Sequence, residues 1–312
     1  MPELTIISRD ADVYAALLAE RQLPNLTLAT AASDVDSVQL DDIEILLSEP
    51  DLAQGFIQQC ENLKWLQSTW AGNTPLIKLD KRDYQLTAVK GIFSAAMREF
   101  VFAYLLYFER NIAAFGHDQD NAQYHWPQPK TTSLAGKRLG VLGAGNIASG
   151  LVPVARSFDM HIVGANRSGQ SEHEYDAVYS INDLENFTKA LDYLVCILPD
   201  TPATENIVDA NLLAMLPRHC VLINAGRGNA IDDNALIGAL STDKLKAAVL
   251  DVFRHEPLPQ QHPFWSMDNV LITQHTAAVS DPKAVIDVFA ENYLRWLANQ
   301  PLKYQIEFER GY

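Results

Sequence analysis

Short apolar runs alternate with helix-like stretches such as ADVYAALLAER along the first hundred residues. The strand-like runs are LTIIS (4–8), LTLAT (26–30), IEILLS (43–48), LKWLQST (63–69) and LTAVK (86–90). Strands that alternate with helices usually form a parallel sheet covered on both faces. This part of the chain therefore predicts an α/β domain.

A long apolar stretch and then a polar stretch separate this region from the next. SAAMREFVFAYLLYFERNIAAFG (94–116) is apolar around most of its surface, which predicts one helix buried between domains or subunits. HDQDNAQYHWPQPKTTSLAG (117–136) is polar and contains proline, which predicts an exposed arm or linker.

A second alternation of strands and helices begins at Lys137 and predicts a second α/β domain. Its strand-like runs are KRLGVLGAG (137–145), MHIVGAN (160–166), LDYLVCILP (191–199), CVLINAG (220–226), KLKAAVLDVF (244–253) and NVLITQH (269–275). The chain ends with a helical pattern, KAVIDVFAENYLRWLANQ (283–300), which we expect to return to the first domain. The prediction is two doubly wound parallel-sheet domains. Residues 1–95 and 282–312 are predicted to form the first domain, and residues 96–281 the second.

Composition and charge narrow the classes of function. A length of 312 residues suits two domains, and the net charge of −15 disfavours nucleic acid as a partner. Cys60, Cys196 and Cys220 are far apart, which indicates neither a disulfide framework nor a metal site. The N-terminus lacks the pattern of a secretory signal, and the longest apolar run, FVFAYLLYF (100–108), is too short to cross a bilayer. We expect a cytoplasmic protein without a membrane partner.

The run GAGNIA matches the glycine pattern of dinucleotide-binding sites. Gly143 would permit the tight turn, Gly145 the approach of a pyrophosphate, and Ala148 close packing of helix on strand. Asn146 and Ile147 open the helix whose N-terminus would attract the phosphates. The pattern follows a strand and precedes a second strand, so it predicts a dinucleotide site.

The end of that second strand lacks the acidic residue that usually accepts the ribose hydroxyls. Asn166, Arg167 and Ser168 stand there instead. A neutral amide, a guanidinium and a hydroxyl suit a 2′-phosphate, which favours NADP(H). The alternative is that Arg167 is a solvated surface residue and the cofactor is NAD(H).

The C-terminal half carries three ordered motifs. They are LINAGRGNAIDDNALIGAL (222–240), VLDVFRHEPLPQQHPFW (249–265) and NVLITQHTAA (269–278). They resemble the motifs of the D-isomer-specific 2-hydroxyacid dehydrogenases. The resemblance to this family extends over nearly the whole chain. STWAGNTPLI (68–77), YLLYFER (104–110) and the NRS run resemble the glyoxylate/hydroxypyruvate reductases of the NADPH-using branch.

The resemblance implies that residues 1–95 and 282–312 form a flavodoxin-like substrate domain and that residues 96–281 form a Rossmann nucleotide domain.

The resemblance also implies a catalytic set. Arg227 would bind the carboxylate and keto oxygen of a 2-keto acid through its fork of donors. His275 would donate a proton to the carbonyl oxygen as hydride arrives, and Glu256 would orient its ring and favour its charged form. His255, which is next to Glu256 in the sequence, is a rival acid.

The resemblance also suggests binding residues. Backbone amides of Ala71, Gly72 and Asn73 would hold the substrate carboxylate, although Asn73 replaces the more usual Val, and Gln274 replaces the Pro usual before the catalytic His. Trp70 and Trp126 would wall the pocket, or else serve as core or interface aromatics.

The cofactor would lie against Leu198, Pro199, Ala225 and Gly226. Asp251 would support the nicotinamide region, or is merely an acid at a strand end.

Two classes of function follow. The first is an NADPH-dependent reductase of small 2-keto acids such as glyoxylate and hydroxypyruvate, with no metal. Within this class a larger substrate, such as phenylpyruvate or a phosphorylated acid, remains an alternative. The second is a nucleotide-sensing protein that reports to a partner. The helix from Ser94 and the arm after it resemble the dimer elements of the family, so we expect a homodimer.

Overall fold

The computed structural model describes residues 1–36, 38–120 and 130–309, so Trp126 of the predicted arm lies outside the described residues. The chain divides into two units. The first comprises Met1–Ile92 with Ser280–Tyr312, and the second comprises Phe93–Val279. Within the described residues, no helix has both the length and the apolar character needed to cross a membrane.

The strands are β1 (Glu3–Ile7), β2 (Thr27–Ala32), β3 (Ile45–Ser48), β4 (Trp65–Ser68), β5 (Gln85–Thr87), β6 (Arg138–Leu142), β7 (His161–Asn166), β8 (Ala177–Ser180), β9 (Tyr193–Cys196), β10 (Val221–Asn224), β11 (Ala247–Leu250) and β12 (Val270–Ile272). The helices are α1 (Ala11–Arg21), α2 (Pro50–Ala53), α3 (Thr74–Ile77), α4 (Ser94–Glu109), α5 (Ile112–Asp120), α6 (Asn146–Ser149), α7 (Leu151–Ser157), α8 (Leu184–Thr188), α9 (Ala210–Met215), α10 (Asp233–Ser241) and α11 (Pro282–Leu297).

The first unit is built on a five-stranded sheet in the order β2-β1-β3-β4-β5, with every pair parallel. Helix α11 belongs to this unit and supplies aromatic side chains to its core. Phe289 stacks on Trp65 with ring centroids 5.2 Å apart, and Tyr293 donates a hydrogen bond to the carbonyl of Pro24 at 2.9 Å. The direction of the chain order changes between β1 and β3, so the carboxyl ends of these strands form a switch point.

The second unit is built on a seven-stranded parallel sheet in the order β12-β11-β10-β9-β6-β7-β8. Apolar clusters cover both faces, which explains why its central strands are near-continuous apolar runs. Strands β7 and β9 flank β6, so the chain order reverses there. Ligands of open α/β sheets bind at the carboxyl ends of the strands at such a reversal. The predicted class of two doubly wound α/β domains is confirmed.

Two elements differ from the sequence prediction. The predicted single helix over 94–116 is two helices, because Asn111 adopts a left-handed conformation with φ of 52° and ends α4. Asparagine tolerates this conformation better than most residues.

Strand β8 was not predicted. It is an edge strand whose residues are all partly exposed, so it lacks the apolar run of its neighbours.

The three cysteines are free thiols, and all are buried. Burial raises the pKa of Cys60 to about 11 and that of Cys196 to about 12, and it raises the pKa of Cys220 as well. Since the thiolate is the nucleophile, these thiols are unreactive at neutral pH. They act as small apolar side chains of the core.

Candidate active site

The glycine turn after β6 lies at the chain reversal of the second sheet. Gly143 has φ of 100°, and a Cβ there would lie 2.4 Å from the carbonyl oxygen of Ile197. Only glycine fits this turn. A Cβ on Gly145, which caps α6, would meet nothing closer than 4.0 Å. The turn therefore presents open space beside Gly145, Asn146 and Ile147, as the approach of a pyrophosphate requires.

The polar residues after β7 form a compact loop. The Asn166 amide is used within the loop, since its Oδ1 accepts from the Gly169 N–H at 2.8 Å and its Nδ2 donates to the Gln170 carbonyl at 2.7 Å. Ser168 Oγ lies 3.1 Å from Asn166 Oδ1. The side chains of Arg167 and Ser168 are exposed. The Ser168 hydroxyl also lies 3.2 Å from the Gln170 carbonyl oxygen and accepts from the Gln170 N–H at 3.3 Å. Asn166 and Ser168 thus shape the loop, and Arg167 is an exposed residue within it.

The loops after β9 and β10 pack tightly against each other. The N–H of Ala225 donates to the Cys196 carbonyl at 3.1 Å. A Cβ on Gly226 would lie 2.6 Å from the backbone nitrogen of Leu198, which precedes Pro199. Strand β9 is next to β6 and β10 is next to β9, so these loops continue the same sheet edge as the glycine turn.

Arg227 is held by a turn that Asn224 organises. The buried side chain of Asn224 accepts from the Gly226 N–H at 3.2 Å and donates to the Arg227 carbonyl at 3.1 Å. A Cβ on Gly228 would lie 1.9 Å from the backbone of Phe253, so this turn needs glycine to approach the loop after β11. Burial lowers the pKa of the Arg227 guanidinium, against the opposing effects of Asp200 and Glu256. Arginine nevertheless stays charged in proteins.

Glu256 and His275 form a hydrogen-bonded pair. His275 Nδ1 lies 2.8 Å from Glu256 Oε2, and the N–H of Phe253 donates to Glu256 Oε1 at 2.9 Å. Burial opposes ionisation of Glu256, but the hydrogen bonds from His275 and Phe253 and the charges of His275 and Arg227 hold its pKa below the usual value. The carboxylate is therefore ionised at neutral pH. It engages Nδ1 of the imidazole and leaves Nε2 for proton transfer.

The loop that carries His275 is organised by Asp251. The Asp251 carboxylate is buried and accepts from Thr273 Oγ1 at 2.5 Å, the Thr276 N–H at 2.8 Å and the Ala277 N–H at 2.9 Å. Its carbonyl accepts from the His275 N–H at 2.7 Å. His275 itself has φ of 57°, a left-handed conformation that costs free energy for a residue with a Cβ. Asp251 thus stabilises the conformation that points His275 toward Glu256.

Replacing Asp251 with Asn is expected to lower the free energy of unfolding by about 2 kcal/mol, because one carboxylate oxygen becomes an amide donor that faces N–H donors. Urea unfolding measures this loss. Asp209→Asn is the matched control, since Asp209 accepts the N–H groups of Asn211 and Leu212 as the cap of α9, and Asn caps helices equally well. Equal stability of the two variants would contradict this role for Asp251.

The predicted substrate loop lies in the first unit, after β4. Ser68 Oγ accepts from the N–H of Trp70 at 3.0 Å, and Asn73 Nδ2 donates to the carbonyl of Ala71 at 3.3 Å. Asn73 is buried, whereas Trp70, Ala71 and Gly72 are partly exposed. The loop therefore has internal support and offers accessible backbone.

Two residues that act on Arg227 were not predicted from the sequence. Asn224 holds the turn of Arg227 by hydrogen bonds, and Asp200 interacts electrostatically with its guanidinium. Asn224 is the first residue of the NAGRG run in the motif over 222–240, so its position was a usable signal. Asp200 directly follows Leu198 and Pro199, which were assigned to the cofactor, but its sequence position gave no sign of an interaction with Arg227.

The rival acid His255 is exposed, and within the described residues no hydrogen bond orients it. In those same residues, no group of three or more His, Cys, Asp and Glu side chains is placed to hold a metal ion.

Comparisons with known proteins identify the family of this chain. Residues 102–277 match the family model for the D-isomer specific 2-hydroxyacid dehydrogenase, NAD binding domain. A D-isomer specific 2-hydroxyacid dehydrogenase family protein from Aeromonas salmonicida has a similar structure. The TM-score is 0.94 and the identity 36%, over 98% of this chain and 99% of that one.

An NADPH-dependent glyoxylate/hydroxypyruvate reductase from Sinorhizobium meliloti, solved with NADP and sulfate, is 26% identical over all of both chains, with a TM-score of 0.87. Glyoxylate/hydroxypyruvate reductase A of Klebsiella pneumoniae is 33% identical over 174 residues, 56% of each chain. The chain spans about half the length of the curated relatives it matches. Since the family model covers more than half of the chain, the protein belongs to the D-isomer-specific 2-hydroxyacid dehydrogenase family.

Proposed function

We propose that this protein reduces small 2-keto acids, such as glyoxylate and hydroxypyruvate, to 2-hydroxy acids with NADPH. The observation that carries the proposal is the Glu256–His275 pair, in which one carboxylate orients His275 and also interacts electrostatically with Arg227. An anion-binding guanidinium and an oriented proton donor are the two groups that reduction of a 2-keto acid needs.

The reaction consumes one 2-keto acid, one NADPH and one proton, and it forms one 2-hydroxy acid and one NADP⁺. The nicotinamide, when bound, supplies the hydride that adds to the keto carbon. His275 donates the proton from Nε2 to the keto oxygen as that oxygen gains negative charge. Glu256 holds the imidazole through Nδ1 and leaves Nε2 for the transfer. Arg227 binds the carboxylate and stabilises the charge on the keto oxygen.

The residues at the chain reversal fit a dinucleotide. The open space beside Gly145 would take the pyrophosphate, against the backbone of Asn146 and Ile147. Leu198, Pro199, Ala225 and Gly226 lie on the same sheet edge and would cover the cofactor. Asp251 would act indirectly through the loop of His275, because its carboxylate is already occupied by that loop.

The residues of the loop after β7 support a preference for NADPH over NADH. No carboxylate of the loop 166–170 repels a 2′-phosphate, and Arg167 and Ser168 supply a guanidinium and a hydroxyl. The relative from Sinorhizobium meliloti carries the description NADPH-dependent, and its structure contains NADP. These observations together support NADPH over NADH.

Arg167→Ala is expected to raise the KM for NADPH about tenfold or more, because a charge-assisted hydrogen bond to the phosphate is lost. The KM for NADH should stay within about twofold. Steady-state rates with a fixed 2-keto acid measure both constants. Arg156→Ala, which breaks an exposed ion pair with Asp176, is the control on the same domain. Equal effects of Arg167→Ala on the two cofactors would assign Arg167 to a structural role.

The proposed function is tested by initial rates with glyoxylate and hydroxypyruvate, each with NADPH and with NADH. Reduction of both acids with a clear NADPH advantage is the expected result. Faster reduction with NADH would overturn the cofactor assignment and leave the catalytic set standing. No reduction with either cofactor would overturn the proposed activity and favour a nucleotide-sensing role.

Three further assignments belong to this proposal. The backbone amides of Ala71, Gly72 and Asn73 would bind the substrate carboxylate, and Trp70 would wall the substrate pocket. The protein would act in the cytoplasm and as a homodimer. Size-exclusion chromatography with light scattering tests the dimer, for which a mass of twice 34.7 kDa is expected.

A further inference from the structure

Five buried polar atoms in the first unit lack hydrogen-bond partners among the described residues, and two of them are Arg21 Nε and Tyr84 Oη. The other three belong to residues at the carboxyl ends of β3 and β4. They are Glu49 Oε2, Thr69 Oγ1 and Asn73 Oδ1. Their residues are only 6%, 1% and 3% exposed. An unpaired buried polar atom costs free energy, so a native protein keeps such atoms where a ligand or other group will pair with them. Three such atoms at one edge of one sheet indicate a binding function.

The three residues follow adjacent strands. Glu49 comes directly after β3, and Thr69 and Asn73 lie in the loop after β4. The two loops are joined where they start, because the Thr69 N–H donates to the Ser48 carbonyl at 3.1 Å. They lie at the carboxyl edge of the sheet, next to its switch point between β1 and β3, where ligands of such sheets bind.

Glu49 is held in place by only one of its oxygens. Its Oε1 accepts from Ser8 Oγ at 2.9 Å and from the Arg9 N–H at 3.2 Å. The Arg9 guanidinium is directed elsewhere, to both oxygens of Asp51 at 3.1 and 2.6 Å. Burial raises the pKa of Glu49, and these contacts only partly offset it. The hydrogen bonds to Oε1 fix the orientation of the carboxyl group, and the buried Oε2 is left without a partner among the described residues.

The chemistry of these atoms selects the ligand. A carboxylate oxygen and an amide oxygen are acceptors, and a threonine hydroxyl both donates and accepts. A ligand group that satisfies them must donate hydrogen bonds and must not be anionic. A hydroxyl group can donate its one hydrogen bond to Glu49 Oε2 and accept one from Thr69 Oγ1, whereas a phosphate or a second carboxylate would be repelled by Glu49.

We infer that Glu49 is a specificity-determining residue that accepts a hydrogen bond from a hydroxyl group on C3 of the substrate, with Thr69 and Asn73 beside it. This inference rests on the proposed reduction of 2-keto acids. It deepens that function by naming the substrate class, a 3-hydroxy-2-keto acid. It also excludes a phosphorylated or dicarboxylic substrate as the preferred one.

Hydroxypyruvate and pyruvate provide the test, because they differ only by the C3 hydroxyl. Glu49→Gln replaces one acceptor oxygen with an NH₂ donor at nearly the same volume. We expect wild-type protein to prefer hydroxypyruvate in kcat/KM, and the ratio of the two kcat/KM values to fall about tenfold or more in Glu49→Gln. We also expect wild-type protein to reduce 3-phosphohydroxypyruvate far less efficiently than hydroxypyruvate.

Glu44→Gln is the matched control, because Glu44 precedes β3 at the opposite end of the same strand and pairs with Lys64 in solvent. It should leave the ratio unchanged. Circular dichroism and thermal unfolding establish that both variants fold.

Two kinds of failure are distinguishable. Equal losses for hydroxypyruvate and pyruvate in Glu49→Gln would show a structural role and overturn the inference, while the proposed reductase function would stand. Efficient reduction of 3-phosphohydroxypyruvate by wild-type protein would also overturn the inference alone. If wild-type protein reduces no 2-keto acid with either cofactor, the proposed function and this inference both fail.

Discussion

Replacing His275 with glutamine is expected to lower kcat by about two to four orders of magnitude, the contribution of a positioned general acid. Glutamine keeps a polar side chain of similar length, but its amide does not donate a proton at neutral pH. The Glu256 carboxylate would lose its imidazole partner, which now lies 2.8 Å away. The KM for NADPH should change little, because the glycine turn and the loop after β7 are untouched. Steady-state rates with hydroxypyruvate and NADPH measure both constants.

His255→Gln is the matched control for this prediction. It makes the same chemical change one residue from Glu256, at an exposed side chain. Its kcat should stay within about twofold of the wild-type value, as for most surface substitutions. If His255→Gln loses activity and His275→Gln keeps it, the proton donor has been assigned to the wrong histidine.

Replacing Arg227 with lysine is expected to lower kcat/KM for 2-keto acids about a hundredfold, even though the positive charge is kept. Lysine offers a point charge instead of a planar fork, so it cannot bind a carboxylate and a keto oxygen in parallel. The Arg227 side chain is also fixed by its own loop, since Nη1 donates to the Gly226 carbonyl at 2.7 Å. Both substrate affinity and the rate of the chemical step should fall.

Arg218→Lys controls for the substitution itself. Arg218 belongs to the same domain, and its Nε donates to the carbonyl of Asp243 at 3.0 Å on the surface. Its kcat/KM should equal that of the wild type. Unchanged kcat/KM in Arg227→Lys would mean that a positive charge alone suffices there, which contradicts the proposed bidentate recognition.

The fold follows closely from the pattern of apolar positions, because strands buried on both faces must be apolar along their whole length. The central strands β3, β4, β9 and β10 are of this kind and were predicted. Strand β8 and the break at Asn111 were not. An edge strand needs no apolar run, and a left-handed asparagine is a local conformation that the apolar pattern of the surrounding helices does not reveal.

The sequence predicted the residues of the candidate site better than it predicted the contacts between them. Motif order named Arg227, Glu256 and His275, since those side chains carry the chemistry. The order of the motifs did not show that the Asp251 carboxylate accepts hydrogen bonds from the loop of His275. Nor did it show that the Asn166 side chain is hydrogen-bonded within its own loop. Glu49 was missed altogether, because it pairs with Ser8 across 41 residues of sequence. Such pairings depend on how strands are ordered in the sheet, which local sequence patterns do not fix.

In the proposed reaction, hydride passes from NADPH to the keto carbon of a small 2-keto acid. The direct measurement uses NADPH carrying deuterium on C4, in the position that is transferred, with hydroxypyruvate as substrate. We predict one deuterium on C2 of the 2-hydroxy acid for each NADPH oxidised, and almost none with His275→Gln over the same time. A 2-hydroxy acid without deuterium, or deuterated NADPH left unoxidised by the wild-type protein, would contradict the account.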